Sequence, residues 1–186
     1  MTRRVPIIPT IFVLAAVATM IALGVWQLGR RAEKEALIAR YEAAAGTSAP
    51  VAFPLAGEGE TVLFRRSEVA CTRVTAIEPV SGTSAKGQKG WVQRARCAVS
   101  PDASVDVDLG YTRDIARPDF AGGTITGVIA PGPRLVADPP VAGLQPMARP
   151  DPGDLPNNHL AYAGQWFFFA LTALVIYVLA LRRRRG

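Results

Sequence analysis

Hydrophobic residues are concentrated at the two ends of the chain. Residues 5–29 form 25 consecutive positions without a charged side chain, and residues 162–181 form another 20. A helix of about 20 residues is roughly 30 Å long, which matches the hydrocarbon core of a bilayer. The pattern therefore predicts two transmembrane helices, over residues 7–28 and 159–181.

A cleavable signal peptide is the alternative interpretation of the first segment. Arg3 and Arg4 precede it, and Ala16 and Ala18 fit a small-residue cleavage site. The uncharged run continues well past Ala18, beyond the apolar core of a typical signal peptide. We therefore expect a retained membrane anchor.

The middle of the chain has the short apolar runs that are typical of a small β-domain. Residues 29–45 are rich in helix formers and predict a helical stalk, and residues 46–60 contain enough Pro and Gly to predict a linker. Residues 61–130 predict a β-rich domain with an antiparallel or barrel-like sheet. Eight prolines within residues 131–156 predict an extended return segment, residues 131–158, without strand or helix. The strand-like runs are residues 61–64, 69–77, 91–99, 104–111 and 124–130.

The net charge of +6 reflects topology rather than a basic binding surface. Between Arg30 and Asp154 the chain has 15 Lys and Arg against 15 Asp and Glu, so the excess lies in Arg3, Arg4 and the arginines at 182–185. A balanced middle disfavours nucleic-acid binding, and arginine clusters stay in the cytoplasm. We expect a membrane α+β protein of a bacterial inner membrane. Residues 1–6 and 182–186 would be cytoplasmic and the central domain periplasmic.

The chemically active side chains do not favour an enzyme. His159 is the only histidine, and with two cysteines it is too little for a structural zinc site. Asp106 and Asp108 share one face of a strand, and an exposed strand face explains them better than paired acid/base catalysis. A periplasmic hydrolase is the weakest interpretation, and we predict that the protein is not an enzyme.

Cys71 and Cys97 lie in two strand-like runs and are symmetric about residue 84, in a predicted hairpin loop over residues 81–90. In a hairpin centred there, the two residues would lie opposite each other. The oxidising periplasm favours a cross-strand disulfide, and two buried free thiols are the alternative.

The second apolar segment begins with polar and aromatic residues. His159, Tyr162 and Trp166 follow the spacing i, i+3, i+7, so they share one helix face at the outer membrane surface. A helix N-cap at Asn157 or Asn158, followed by an interfacial aromatic belt, is the simpler interpretation. That interpretation does not require His159 or Tyr162.

The first helix is predicted to leave the membrane close to the place where the second begins. Two facing helix ends predict an interfacial pocket with an imidazole, aromatic walls, amides and a cation. The residues that we expect to form it are His159, Tyr162, Gln165 and Trp166 of the second helix and Trp26, Gln27 and Arg30 of the first.

Two long segments near the ends of the chain are LGVWQLGRRAEKEALIARYE, residues 23–42, and NNHLAYAGQWFFFA, residues 157–170. They resemble the terminal signatures of the surfeit locus protein 1 family, whose members are assembly factors for haem-copper cytochrome c oxidase. Both lie at the corresponding ends of the chain and in the same order. In the middle, family members have an Asn-Arg-Gly-Trp-like run where this chain has Asp108, Leu109, Gly110 and Tyr111.

The resemblance implies a non-enzymatic role, in which the protein binds or hands over haem a while the largest oxidase subunit matures. It implies that His159 is an axial ligand of the haem iron and that Arg30 or Arg31 pairs with the propionates. The implied partners are the largest subunit of cytochrome c oxidase, the haem a synthesis machinery and membrane lipid. A haem-free scaffold that docks on the nascent oxidase subunit is the alternative.

Overall fold

A computed structural model describes residues 6–47, 49–55 and 59–183 of the chain. Two long helices, α1 (Ile7–Ala45) and α2 (His159–Arg183), flank the strands in the chain order. Each helix is long and apolar enough to cross a membrane. The predicted order of an apolar helix, a β-rich domain and a second apolar helix is confirmed. The strands are β1 (Val51–Ala52), β2 (Arg66–Cys71), β3 (Arg73–Thr83), β4 (Lys89–Ala98), β5 (Ser104–Thr112), β6 (Gly123–Ala130) and β7 (Arg134–Ala137).

The chain divides into two compact units. The helical unit contains the chain up to Leu37 and from Pro156 onward, and therefore most of α1 and all of α2. The sheet unit runs from Ile38 to Leu155, and it contains the last turns of α1 and all of the strands. α1 is one continuous helix through the predicted anchor and the predicted stalk.

Small residues line the contact between α1 and α2 in the helical unit. Val17 and Gly24 are buried on α1, and Ala163 and Ala170 are buried on α2. In both helices the buried pair is seven residues apart, which is the spacing that keeps residues on one helix face. A Cβ atom on Gly24 would lie 2.5 Å from Cε1 of Phe167, so the aromatic ring occupies the space next to this glycine. Close packing of small residues is the usual basis of helix pairing in membranes.

The sheet has the strand order β1-β2-β6-β7-β5-β4-β3. The pairs β1–β2 and β5–β7 are parallel and the other pairs are antiparallel, so the sheet is mixed rather than purely antiparallel. β3 and β4 form a long hairpin that closes at Thr83 and Lys89, with a shorter loop than predicted. Three strands separate β2 from β4 in the order, yet a disulfide joins Cys71 to Cys97. The sheet is therefore curled in a barrel-like way.

The core of the sheet unit is built by strands that carry a buried apolar residue at about every second position. On β5, Val105, Val107, Leu109 and Tyr111 are all buried, and these positions are two residues apart. Val105, Val107 and Leu109 belong to one core cluster. Tyr111 lies beyond a register shift in the β4–β5 pair and packs in a second cluster with Val92 and Met147. Burying a large apolar side chain contributes about 1.5–3 kcal/mol, which makes β5 a major source of stability.

Two predicted strand runs differ from the structure near the start of the sheet. The prediction of a strand at residues 61–64 is wrong. A 3-10 helix, Gly59–Val62, is followed by a turn in which Phe64 has a φ of 65°. Phe64 is buried, and its ring centroid lies 5.2 Å from that of Tyr41. The run at residues 69–77 is two strands, because Thr72 leaves the ladder of β2 and donates its backbone N–H to the carbonyl of Ala98.

Two segments that were predicted to be irregular contain strands. The predicted linker contains the short strand β1, and the proline-rich return segment contains β7 and a 3-10 helix, Pro152–Asp154. β7 occupies four residues between prolines, and Leu135, Val136 and Ala137 are buried in it. Burial of these three side chains in the centre of the sheet favours pairing despite the proline content. The linker residues 48 and 56–58 lie outside the described part of the chain.

The expectation that Asp108 lies on an exposed strand face is wrong. Asp108 is only 5% exposed, and its carboxylate accepts from Arg94 Nε at 2.6 Å and from Arg134 Nε at 2.9 Å. Arg134 comes from β7, which the sequence pattern did not predict. The hydrogen bond to Asp108 raises the pKa of Arg94 above its ordinary value, so this arginine stays cationic. Asp106 is more exposed and pairs with Arg96.

Candidate functional site

All seven predicted pocket residues lie in the helical unit. α2 begins at His159, so this residue lies at the N-terminal end of a helix that is otherwise apolar for most of its length. Trp26, Gln27 and Arg30 lie on consecutive turns of α1. The helical conformation places these residues on the surface of two rigid elements rather than on loops.

The structure brings together one pair of the predicted residues directly. Nδ1 of His159 lies 2.7 Å from Oε1 of Gln27, which is hydrogen-bond distance, and 132 positions separate the two residues in the chain. Both side chains are half-buried. Within the described residues, Nε2 of His159 makes no hydrogen bond. One ring nitrogen is therefore engaged and the other is free.

The contact between Gln27 and His159 depends on the close approach of the two helices. Gly24 lies three residues before Gln27, nearly one helical turn away, and the ring of Phe167 packs against it. A larger side chain at position 24 would have to displace that ring. The glycine and the polar pair are thus parts of the same helix contact.

The aromatic residues of the predicted pocket are close to this pair but are more accessible. Trp26 is 56% exposed and Tyr162 is 51% exposed. Trp166 is half-buried, and its ring stands edge-to-face with Phe169 at a centroid distance of 6.2 Å. Gln165 is exposed and makes no hydrogen bond with another described residue. Accessible flat rings are free to contact a planar ligand, but the structure does not hold them together.

Arg30, the predicted cation of the pocket, already forms an ion pair with a residue of its own helix. Arg30 forms an ion pair with Glu33, and Arg31 pairs with Glu35 at 2.7 Å. Both pairs are exposed, so each contributes little to stability. The pair with Glu33 uses Nη1 of Arg30, so the exposed guanidinium keeps further N–H donors for an anionic ligand. The i, i+3 spacing of Arg30 and Glu33 is visible in the sequence, although Glu33 was not included in the predicted pocket.

The N-cap interpretation of this region is wrong for Asn157. Oδ1 of Asn157 is buried and has no hydrogen-bond partner among the described residues, so it does not cap α2. Asn158 directly precedes α2 and occupies the N-cap position, where its carbonyl accepts from the backbone N–H of Tyr162 at 3.2 Å. Of the two predicted N-cap residues, the structure therefore supports Asn158.

The chemistry of His159 is compatible with ligation of haem iron. A neutral imidazole with one free nitrogen can supply one axial ligand to haem iron, and aromatic side chains can flank the macrocycle. Among the described residues, no group of three or more His, Cys, Asp or Glu is arranged to hold a metal ion by itself. A prosthetic group that brings its own ring ligands needs only the single histidine.

The sheet unit has a separate cleft of about 350 Å³ beside the buried carboxylate of Asp108. Arg94, Arg134 and Arg149 line it, and among its described lining residues three aspartates balance them. The cleft therefore carries no excess charge that would select an anionic or a cationic ligand. The helix ends remain the stronger candidate site.

The SURF1 family model matches residues 14–171 of this chain. The chain belongs to the SURF1 family. This family is linked to the assembly of cytochrome c oxidase, and its members are assembly factors rather than enzymes. The match extends through most of α1, the whole sheet unit and the first half of α2, and it includes both Gln27 and His159. Comparison with individual curated proteins gives no significant match.

Proposed function

We propose that this SURF1-family protein is anchored by α1 and α2 in a bacterial inner membrane and holds haem a at His159 during maturation of the largest oxidase subunit. The observation that supports the proposal most directly is the state of the His159 ring. Nδ1 is engaged by Gln27, and Nε2 is free within the described residues. An imidazole with one free nitrogen on a rigid helix end is suited to axial ligation.

Polar contacts at both ends of the helix pair support insertion in a membrane. Gln27 contacts His159 at one end, and the hydroxyl groups of Thr10 and Tyr177 are hydrogen-bonded to each other at the other. At 1.5 Å per residue, the helix lengths between these contacts are about 26–27 Å. The hydrocarbon core of a bilayer is about 30 Å thick. The apolar surface between the two polar contacts therefore has the length that a membrane requires.

Arginines support the proposed orientation. Arg182 and Arg183 end the described part of α2, and the sequence has Arg3 and Arg4 before α1. By the positive-inside rule, these clusters belong in the cytoplasm. The sheet unit would then be periplasmic, and His159 would lie at the periplasmic surface of the membrane.

The chain's own residues would hold the haem from one side. His159 would provide one axial ligand, while Trp26, Tyr162 and Trp166 would contact the macrocycle. Arg30 would donate to a propionate. When bound, haem a supplies the redox-active iron centre that the oxidase subunit needs. His159 would be the single protein ligand to the iron, which suits release to a partner.

A haem-free scaffold is the second candidate, and a specific observation favours it. The same hydrogen bond between Gln27 and His159 ties two helices together, so it also explains His159 as a packing residue. In that case the protein would dock on the nascent oxidase subunit without carrying a cofactor. The two functions differ in one measurable property, which is stoichiometric haem.

Haem content decides between the two candidates. Wild type, His159→Ala and Leu160→Ala are purified in detergent from cells that make haem a, and haem is quantified per protein with the Soret spectrum. Leu160 is the exposed neighbour on the same helix and serves as the control. We expect haem in wild type and Leu160→Ala, and a loss of at least tenfold in His159→Ala. Equal occupancy and an unchanged spectrum in His159→Ala, or a wild type without haem, would favour the scaffold.

The proposed partners are tested in the same membranes. We expect the largest oxidase subunit to be recovered with the full-length protein after chemical cross-linking, and the haem a synthesis machinery to be recovered when haem a is being made. A chain of unrelated sequence with the same two-helix topology is the control. Equal recovery with that control would contradict a specific interaction.

A further inference from the structure

The hydrogen bond between His159 and Gln27 has a direction, and this direction determines which ring nitrogen is free. The amide oxygen of Gln27 accepts hydrogen bonds and has no proton to donate. Nδ1 of His159 lies 2.7 Å from that oxygen, so Nδ1 carries the proton. A neutral imidazole has one protonated nitrogen, and Nε2 therefore keeps its lone pair. This geometry points to the tautomer that can ligate iron through Nε2.

We propose that Gln27 is a positioning residue that fixes the tautomer and the ring plane of His159. This inference rests on the haem ligation proposed above. It also changes the role expected for Gln27, which acts through His159 instead of lining the pocket. Metal-bound histidines commonly donate their second N–H to an oxygen acceptor, and this hydrogen bond orients the ring and makes the ligand more basic.

The surroundings of Gln27 favour a fixed geometry. Its helix is held close to α2 at Gly24, where the ring of Phe167 is in contact. His159 is the first residue of α2, and both side chains of the pair are half-buried. A hydrogen bond that is partly removed from water is stronger than an exposed one. Two packed helices therefore determine the distance between the amide oxygen and the imidazole.

The tautomer is measurable without haem. The chain has a single histidine, so selective labelling with ¹⁵N-histidine gives one pair of ring signals from the full-length protein in detergent, provided that the purification tag contains no histidine. We expect a protonated Nδ1 and an unprotonated Nε2 in wild type at mildly alkaline pH. Gln27→Leu should shift the ring toward the Nε2–H form, which free imidazole side chains prefer. A wild type already in the Nε2–H form, or a spectrum that Gln27→Leu leaves unchanged, would overturn the inference.

The haem-bound protein gives a second readout. Gln27→Leu removes the acceptor, and we expect a ten- to hundredfold loss of haem affinity, as is typical for residues that orient a metal ligand. In the ferrous protein, the iron–histidine stretching frequency should fall in Gln27→Leu and rise in Gln27→Glu, since a carboxylate is the stronger acceptor. Gln27→Glu should retain affinity because it keeps an oxygen at this position. Gln88→Leu makes the same chemical change in the exposed turn between β3 and β4 and is the control.

The outcomes separate this inference from the proposed function. If wild type binds no haem, or if His159→Ala keeps its haem, the proposed function fails, and the ¹⁵N spectrum still tests the tautomer. If His159→Ala loses haem while Gln27→Leu keeps the wild-type affinity and stretching frequency, ligation stands and the role of Gln27 is overturned. Loss of haem in Gln27→Leu with full affinity and a raised frequency in Gln27→Glu supports both.

Discussion

Cys71 at the end of β2 is bonded to Cys97 of β4, although the residue that pairs with Cys97 across the hairpin is Val74 of β3. The disulfide therefore does not lie between two paired strands, as the symmetry about residue 84 predicts. It joins strands that are far apart in the strand order, at the place where the curled sheet returns to itself. Thr72 is the single residue between β2 and β3 that allows this change of direction.

Removing this disulfide should destabilise the sheet unit. The bonded cysteines are 26 residues apart, and closing a loop of this size stabilises by about 3 kcal/mol in the chain-entropy model. We expect the double substitution Cys71→Ser, Cys97→Ser to lower the free energy of unfolding by about that amount, measured by urea unfolding of the full chain in detergent. Thiol labelling of denatured wild type without reductant provides the check. Two reactive thiols in fresh membranes would contradict the bond.

The buried carboxylate of Asp108 and the exposed carboxylate of Asp106 should respond differently to the same substitution. Asp108→Asn leaves Arg94 and Arg134 half-buried without their counter-ion, and we expect a loss of about 3 kcal/mol in the free energy of unfolding. Asp106→Asn on the same strand removes an exposed pair with Arg96 and should have little measurable effect.

The ion pair between Arg94 and Asp108 makes the folding stability depend on pH in a definite direction. The pKa of Arg94 is raised in the folded protein, so the stabilisation tied to its protonation is fully present below the ordinary pKa of arginine and is lost only as the pH rises past it. We therefore expect titration of Arg94 to leave the difference between wild type and Asp108→Asn unchanged across the neutral range. Equal stability of Asp106→Asn and Asp108→Asn would contradict the assigned burial.

Gly24 should be essential for the pairing of α1 and α2. A side chain at this position meets the ring of Phe167, so we expect Gly24→Leu to separate the helices at that point. Oxidative cross-linking of cysteines introduced by Thr10→Cys and Tyr177→Cys measures the pairing, and its yield should fall severalfold. Gly29→Leu is the matched control, because a Cβ at position 29 meets nothing within 4 Å outside its own stretch of helix. A full cross-linking yield in Gly24→Leu would show that the contact is dispensable.

The proposed topology makes a separate prediction. A reporter that is active only in the periplasm should be active when fused after Asp102, in the turn between β4 and β5, and inactive when fused after Arg183. N-terminal sequencing of the mature protein should find residues before Ala18. Activity of the Arg183 fusion, or a mature chain that starts at Thr19, would overturn the arrangement of two retained helices.

The sequence by itself determined the features that depend on local composition. Uncharged runs of 25 and 20 residues predict long helices because length and polarity alone decide whether a segment can be an apolar helix. Alternation at Val105, Val107 and Leu109 predicts β5 for the same kind of reason, since a strand exposes every second side chain to one face. The segments around Gln27 and His159 were sufficient to identify the family.

Only the tertiary structure decided the features that depend on residues far apart in the chain. β7 lies in a proline-rich segment and forms because the centre of the sheet buries Leu135 and Val136. Asp108 is buried because β7 brings Arg134 to it. Gln27 meets His159 across 132 positions because α1 and α2 are in contact, with Phe167 seated against Gly24. Local patterns give the propensity of each segment, whereas these contacts depend on free energy gained only when the segments come together.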